Sequence, residues 1–93
     1  MIRSKKIRKS ARGEDCSLRL EGCSFNPEQT VLAHVGSMGG RGLKCDDTMA
    51  VYACYNCHTK IDGHKRKDYA GDILRAIEET QRKLHDKGLL KVE

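Results

Sequence analysis

Apolar positions along the chain fall into two short runs and one periodic stripe. VLAHV, residues 31 to 35, and TMAVYA, residues 48 to 53, are rich in β-branched and aliphatic side chains and read as strands. Between them lies GSMGGRGLKCDD, residues 36 to 47, whose four glycines make a segment too long and flexible for an ordinary hairpin turn. Segments of that kind usually carry function. A short helix is predicted from Tyr55 to about Gly63. In DILRAIEETQRKLHDK, residues 72 to 87, Ile73, Ile77 and Leu84 share one side, and Gly88 can end the helix in a left-handed cap. Upstream, Cys16-SLRLEG-Cys23 reads as a knuckle in which Gly22 permits a tight path, and FNPEQ reads as a turn. The pattern predicts a small α+β protein: a hairpin and helix over residues 31 to 64, with an additional C-terminal helix over 72 to 87.

Composition adds a constraint on what holds such a chain together. Of its 93 residues one is Phe, three are Tyr and none is Trp, so the core is expected to be thin. A chain of this length buries only about 60 to 65% of its unfolded surface, which calls for a staple. A charged fraction of 33% and the lack of any 18-residue apolar run predict a soluble cytoplasmic protein with no membrane partner. Five cysteines in that setting read as metal ligands before they read as disulfides.

Charge is unevenly spread. The net charge of +5 arises at the amino terminus, because residues 1 to 12 hold six of the 18 basic side chains and no acid, leaving 12 basic against 13 acidic residues elsewhere. Residues 1 to 13 are accordingly read as a basic arm, and residues 14 to 93 as the domain. Arg3, Lys5, Lys6, Arg8 and Lys9 suit contact with nucleic-acid phosphates. A solvated, disordered tail is the other reading of the same charges.

ACYNCHTKIDGH, residues 53 to 64, concentrates the candidate chemistry. Cys54 and Cys57 form a CxxC pair, half of a tetrahedral site, and Cys16 with Cys23 is the natural other half of a structural zinc centre. Cys45 stands apart as a free thiol, or as a substitute for Cys16 or Cys23. His58 and Asp62, four residues apart, would share one helix face as a harder ligand pair for Mg, Mn, Ni or Zn, or form a plain hydrogen-bonded pair. A hairpin folded across the glycine segment can bring His34 towards that helix, where an unmetallated imidazole can take a proton from water during phosphodiester hydrolysis. CYNCH also satisfies the CxxCH pattern of c-type haem attachment. That reading requires export and leaves Cys16 and Cys23 without a purpose.

AHV at 33 to 35, GSMGGRGLK at 36 to 44, the Asp46-Asp47 step, AVYACYNCH at 50 to 58 and Asp62 together resemble the HNH endonucleases of the ββα-metal fold, and within them the YbcO-like nucleases of phages and prophages. The resemblance covers residues 14 to 64 and implies a zinc-knuckle-stabilised, metal-dependent endonuclease acting on nucleic acid, with DNA the favoured substrate. It implies His34 as general base, His58 and Asp62 as metal ligands, and Asp47 near the catalytic position that is Asn in the family. Arg41 and Lys44 in the glycine segment become phosphate contacts. A homodimer or a larger phage recombination or packaging complex would be the assembly. Ala33 stands where many relatives have a further metal ligand, and Asp47 stands where they have Asn. The competing class is a noncatalytic, zinc-stabilised DNA-binding module.

Overall fold

The computed structural model describes residues 2 to 36 and 45 to 92. In chain order its elements are helix α1 (Lys5–Ser10), strand β1 (Val31–His34), strand β2 (Ala50–Ala53), helix α2 (Tyr55–Ile61) and helix α3 (Ala70–Asp86), with 3-10 turns at Pro27–Gln29 and Gly63–Tyr69. The expected hairpin is present: β1 and β2 pair antiparallel with Val31 opposite Ala53 and His34 opposite Ala50. The helix predicted to reach Gly63 ends earlier, since Asp62 already has extended backbone, and α3 begins at Ala70.

Because side chains alternate across a strand, the hairpin has two different faces. Ala33, Val51 and Ala53 point to the cluster that contains Leu18, Leu20, Cys57 and Ile61, with Ile73 and Ala76 from α3. Tyr52 points the other way, to Ile7, Ala11 and Leu84, with Leu32 against them. Helix α3 lies along the outer edge of β2 and contributes to both clusters. There the backbone groups of Tyr52 are all used: its N–H donates to Thr80 Oγ1 at 3.1 Å, and its carbonyl accepts from Ser17 N and Oγ, each at 2.7 Å. A strand edge that would otherwise be open to foreign pairing is thereby closed.

The segment read as a basic arm carries α1, docked on the hairpin. Ser4 caps the helix by accepting from the Ile7 amide at 3.2 Å. Ile7 and Ala11, four residues apart and therefore on one face, are 3% and 1% exposed. Two apolar side chains among six cations are enough, because Tyr52 and Leu84 provide the matching surface, and Ser10 Oγ meets the Tyr52 hydroxyl at 2.7 Å. The chain before the helix is pinned as well. The Asp47 amide donates to Ile2 O at 2.9 Å, the Ile2 amide to Asp46 Oδ1 at 2.9 Å, and the Ser4 amide to Asp47 Oδ2 at 2.7 Å. Among the described residues no helix is long and apolar enough to cross a membrane.

This docking predicts that Ile7→Ala lowers folding stability by about 2–4 kcal/mol, the usual cost of emptying a buried aliphatic site. Chemical denaturation measures it. A loss below about 0.5 kcal/mol would mean that the helix does not pack as described.

Candidate functional site

Two cysteine pairs meet where β2 runs into α2. Cys54 is the N-cap of α2 and Cys57 lies one turn on, so both sulfurs emerge on the buried side. Cys16 and Cys23 arrive from a loop held against α2 from outside, with Asn56 Nδ2 donating to Gly22 O at 3.0 Å and the Lys60 ammonium donating to Glu21 O. Gly22 has φ +86°, a left-handed conformation that glycine adopts without strain. From α3, Arg75 donates to the Ser17 and Leu18 carbonyls at 3.0 and 2.9 Å.

The four sulfurs lie within 4.8 Å of one another, and Cys23 and Cys54 are 3.7 Å apart. Zinc–sulfur bonds of about 2.3 Å in a tetrahedron put sulfurs roughly 3.8 Å apart, whereas a disulfide needs about 2.05 Å. All five cysteines are free thiols. The four can hold a metal such as zinc, and their chemistry fits it: soft donors, buried, with amides aimed at them. Burial works against ionising Cys54, but the Cys57 and Ser24 amides and the Ser24 hydroxyl outweigh it and bring the thiol down to about 6. Burial pushes Cys57 and Cys23 up, with neighbouring thiols adding to the rise. Cys45 stays outside the group. Buried, its sulfur accepts from the Gly36 amide at 3.2 Å and contacts the Met49 carbonyl at 3.3 Å.

On the opposite face of the hairpin, His34 Nε2 lies 2.8 Å from Asp47 Oδ1. The Asp47 side chain is fully buried, which alone would favour the neutral acid. The His34 hydrogen bond, the Ser4 amide and the charges of His34 and Arg8 overcome that cost and hold the carboxyl below its ordinary range. Arg3 Nη1 and Arg8 Nε stand 3.5 and 3.6 Å from its two oxygens. An ionised carboxylate only accepts, so Nε2 carries the imidazole proton and Nδ1 is the basic nitrogen. This is how a carboxylate fixes the tautomer and orientation of a histidine base.

His58 and Asp62 sit at the other end of the hairpin helix. His58 is half-buried in α2, while Asp62 is the extended residue that ends it, 66% exposed and 3.9 Å from Arg66. They are not on one continuous helical face, because the helix stops between them. Among the described residues the cysteines are the sole group of three or more His, Cys, Asp or Glu side chains close enough to share an ion. The alternation of β1 explains why His34 is not gathered with them: Ala33 faces the α2 side, and His34 must face the other.

Arg66 links the two sides, donating to Ile61 O at 3.2 Å and to His34 O at 3.4 Å. Sequence reasoning missed it inside the HKRK run, and missed Ser4, although a serine before KKIRKS is a helix-cap signal. Of the cations expected to meet phosphate, Lys5, Lys6, Arg8 and Lys9 are exposed on α1, and Arg3 also donates to Cys45 O. Arg41 and Lys44 lie outside the described residues.

A family model described as "Putative nuclease YbcO" matches residues 5–90, a span that includes all of these side chains except Arg3 and Ser4. Putative nuclease YbcO of Escherichia coli (strain K12) and putative nuclease ybcO of Enterobacteria phage 82 are each 48% identical over 59 residues, covering 60% of this chain. The matched region spans 62% of the length of each of those curated relatives. The solved structure of a putative bacteriophage protein from Escherichia coli str. K-12 substr. MG1655 superposes with a TM-score of 0.68 at 35% identity, covering 89% of this chain and 100% of that one. With the match running from the first residue of α1 to beyond the last of α3, the chain belongs to the YbcO family of putative nucleases.

Proposed function

We propose that the chain is a metal-dependent endonuclease of the HNH, ββα-metal type that hydrolyses phosphodiester bonds, with DNA as its substrate. The observation that carries this reading is His34 at the end of β1, its Nε2 held 2.8 Å from a buried, ionised Asp47 and its Nδ1 left as the basic nitrogen, with Arg8 of α1 3.6 Å from the same carboxylate. His34 takes the proton of a water that attacks phosphorus, one P–O bond forms as another breaks, and the departing oxygen takes a proton from solvent. Asp47 keeps the base in one tautomer and offsets the positive charge that His34 acquires. It acts here as a positioning group for the histidine.

His58 and Asp62 are the proposed ligands of the divalent ion, Mg, Mn, Ni or Zn. An imidazole and a carboxylate are a sparse set, but such ions are often held by one or two protein ligands with waters and substrate phosphates completing the shell. Bound there, on the α2 side of the hairpin rather than beside His34, the ion would supply Lewis-acid stabilisation of phosphate charge. Structural zinc on the four cysteines is part of the same proposal. A noncatalytic DNA-binding module would keep the cysteines and the cations, but would have no use for a carboxylate-oriented histidine.

In a cleavage assay on plasmid and branched DNA with Mg, Mn, Ni or Zn, His34→Ala is expected to cut about 10²–10⁴-fold more slowly while staying folded at assay temperature with a lowered thermal transition, because the buried Asp47 carboxylate loses a partner, and His58→Ala to lose metal-dependent cleavage with an unchanged thermal transition. DNA binding without cleavage under every metal would favour the module. Metal analysis of the purified chain should find one zinc, lost together with most of the folding stability in Cys54→Ser; a metal-free, equally stable wild type would remove the zinc centre. Since the folded-state pKa of Asp47 is depressed, its contribution to stability is complete above the ordinary Asp value of about 4 and disappears as pH falls through the lower folded value. The stability gap between the wild type and Asp47→Asn should therefore be constant from neutral pH to about 5 and narrow below about 4. A gap independent of pH down to 2 would contradict the ionised, hydrogen-bonded carboxylate.

A further inference from the structure

Beside α1 lies a second basic feature that the reaction just described does not use. Arg8, Lys9 and Arg12 line a groove of about 550 Å³ whose far wall is the start of β1, Val31 and Leu32, with Thr30 at its floor. Among the described residues no acidic side chain lines it. Thr30 is 4% exposed, and among the described residues its Oγ1 is the sole buried side-chain nitrogen or oxygen without a hydrogen-bond partner. Leaving a buried hydroxyl unpaired costs about 1–3 kcal/mol.

We propose that this groove is a binding subsite for a backbone phosphate of DNA, next to the cleavage centre and separate from it. Three cations with no carboxylate among them favour an anion. Guanidinium groups match the paired oxygens of a phosphodiester, and rotation of the buried Thr30 side chain towards the groove on binding would let its unpaired Oγ1 donate to a phosphate oxygen. The subsite is continuous with the centre through one side chain, because Arg8 both lines the groove and stands 3.6 Å from Asp47 Oδ2. A strand seated in the groove therefore runs along β1 towards His34 at that strand's other end. For the identity of its ligand the inference rests on the nuclease reading; for its geometry it does not.

The test is fluorescence anisotropy of a labelled 20-bp duplex titrated with the full-length chain in a His34→Ala background, over a series of salt concentrations. Arg12→Gln is expected to weaken binding about tenfold at low salt and to reduce the salt slope by about 0.9, the value of one phosphate contact. Thr30→Val keeps the shape and removes the unpaired hydroxyl, so it should raise or preserve the melting temperature while weakening binding about tenfold, as loss of a hydrogen bond to a charged group does. Lys91→Gln, exposed and outside the groove, sets the effect of removing one charge anywhere on the chain. An affinity of Thr30→Val within twofold of the parent, or an Arg12→Gln loss no larger than that of Lys91→Gln, would overturn the subsite. If the chain with His34 intact cuts DNA while Thr30→Val binds normally, the groove fails and the nuclease reading stands. Groove-dependent binding without cleavage gives the reverse result.

Discussion

Four thiol sulfurs within 4.8 Å of one another set the geometry on which the remainder of the molecule depends. Cys54 follows β2 and caps α2, Cys57 begins the buried face of α2, and Cys16 and Cys23 bring in an apolar loop, with Leu18 and Leu20 between them. Fully burying each such side chain contributes about 1.5–3 kcal/mol, but only if the loop is held in place. Exposed ion pairs that also reach it, such as Arg19 with Glu79, are worth about 0–1 kcal/mol each. With a metal on its four sulfurs, the cluster would be the stronger restraint. In a chain without tryptophan and with two small apolar clusters, four soft donors can substitute for core volume.

The second joint is the buried Asp47 carboxylate, on the other face of the hairpin. It gathers the Ser4 amide, the His34 imidazole and the charges of Arg3 and Arg8. Removing any one partner leaves the others to compensate a buried charge, so the group behaves as a unit. One consequence is that the amino-terminal segment sets the state of His34. Its helix is fastened by Ile7 and Tyr52, and the residues just before it complete the shell of the carboxylate that holds the histidine.

The parts legible in the sequence were those encoded by local spacing. CxxC spacing puts two sulfurs together at the start of the short helix, and the β-branched and aliphatic runs VLAHV and TMAVYA mark the two strands. Cys16 and Cys23 could be assigned to the same centre because no other paired thiols remained. Helix α1 was illegible for a physical reason: its apolar face is Ile7 and Ala11 alone, and its surroundings are charges that also describe a solvated tail. The pairing of His34 with Asp47 spans 13 residues across a glycine-rich segment, so no periodicity encodes it. The early end of α2 was missed because TKID continues a helical pattern until Asp62 turns extended.

Period-two alternation also accounts for the organisation of the site. Ala33 and His34 are adjacent, so only one of them can face α2. Ala33 does, at 1% exposure among Val51, Ala53 and Ile61, where little more than a methyl group fits. Ala33 is thus used for packing beside the sulfur cluster. His34 is sent to the face of α1, where the acid that orients it also meets Arg8 and where the basic groove begins. Core packing and the placement of His34 are therefore set by the same strand register. A one-residue slip would put the histidine into the apolar cluster and the alanine beside Asp47, with loss of both.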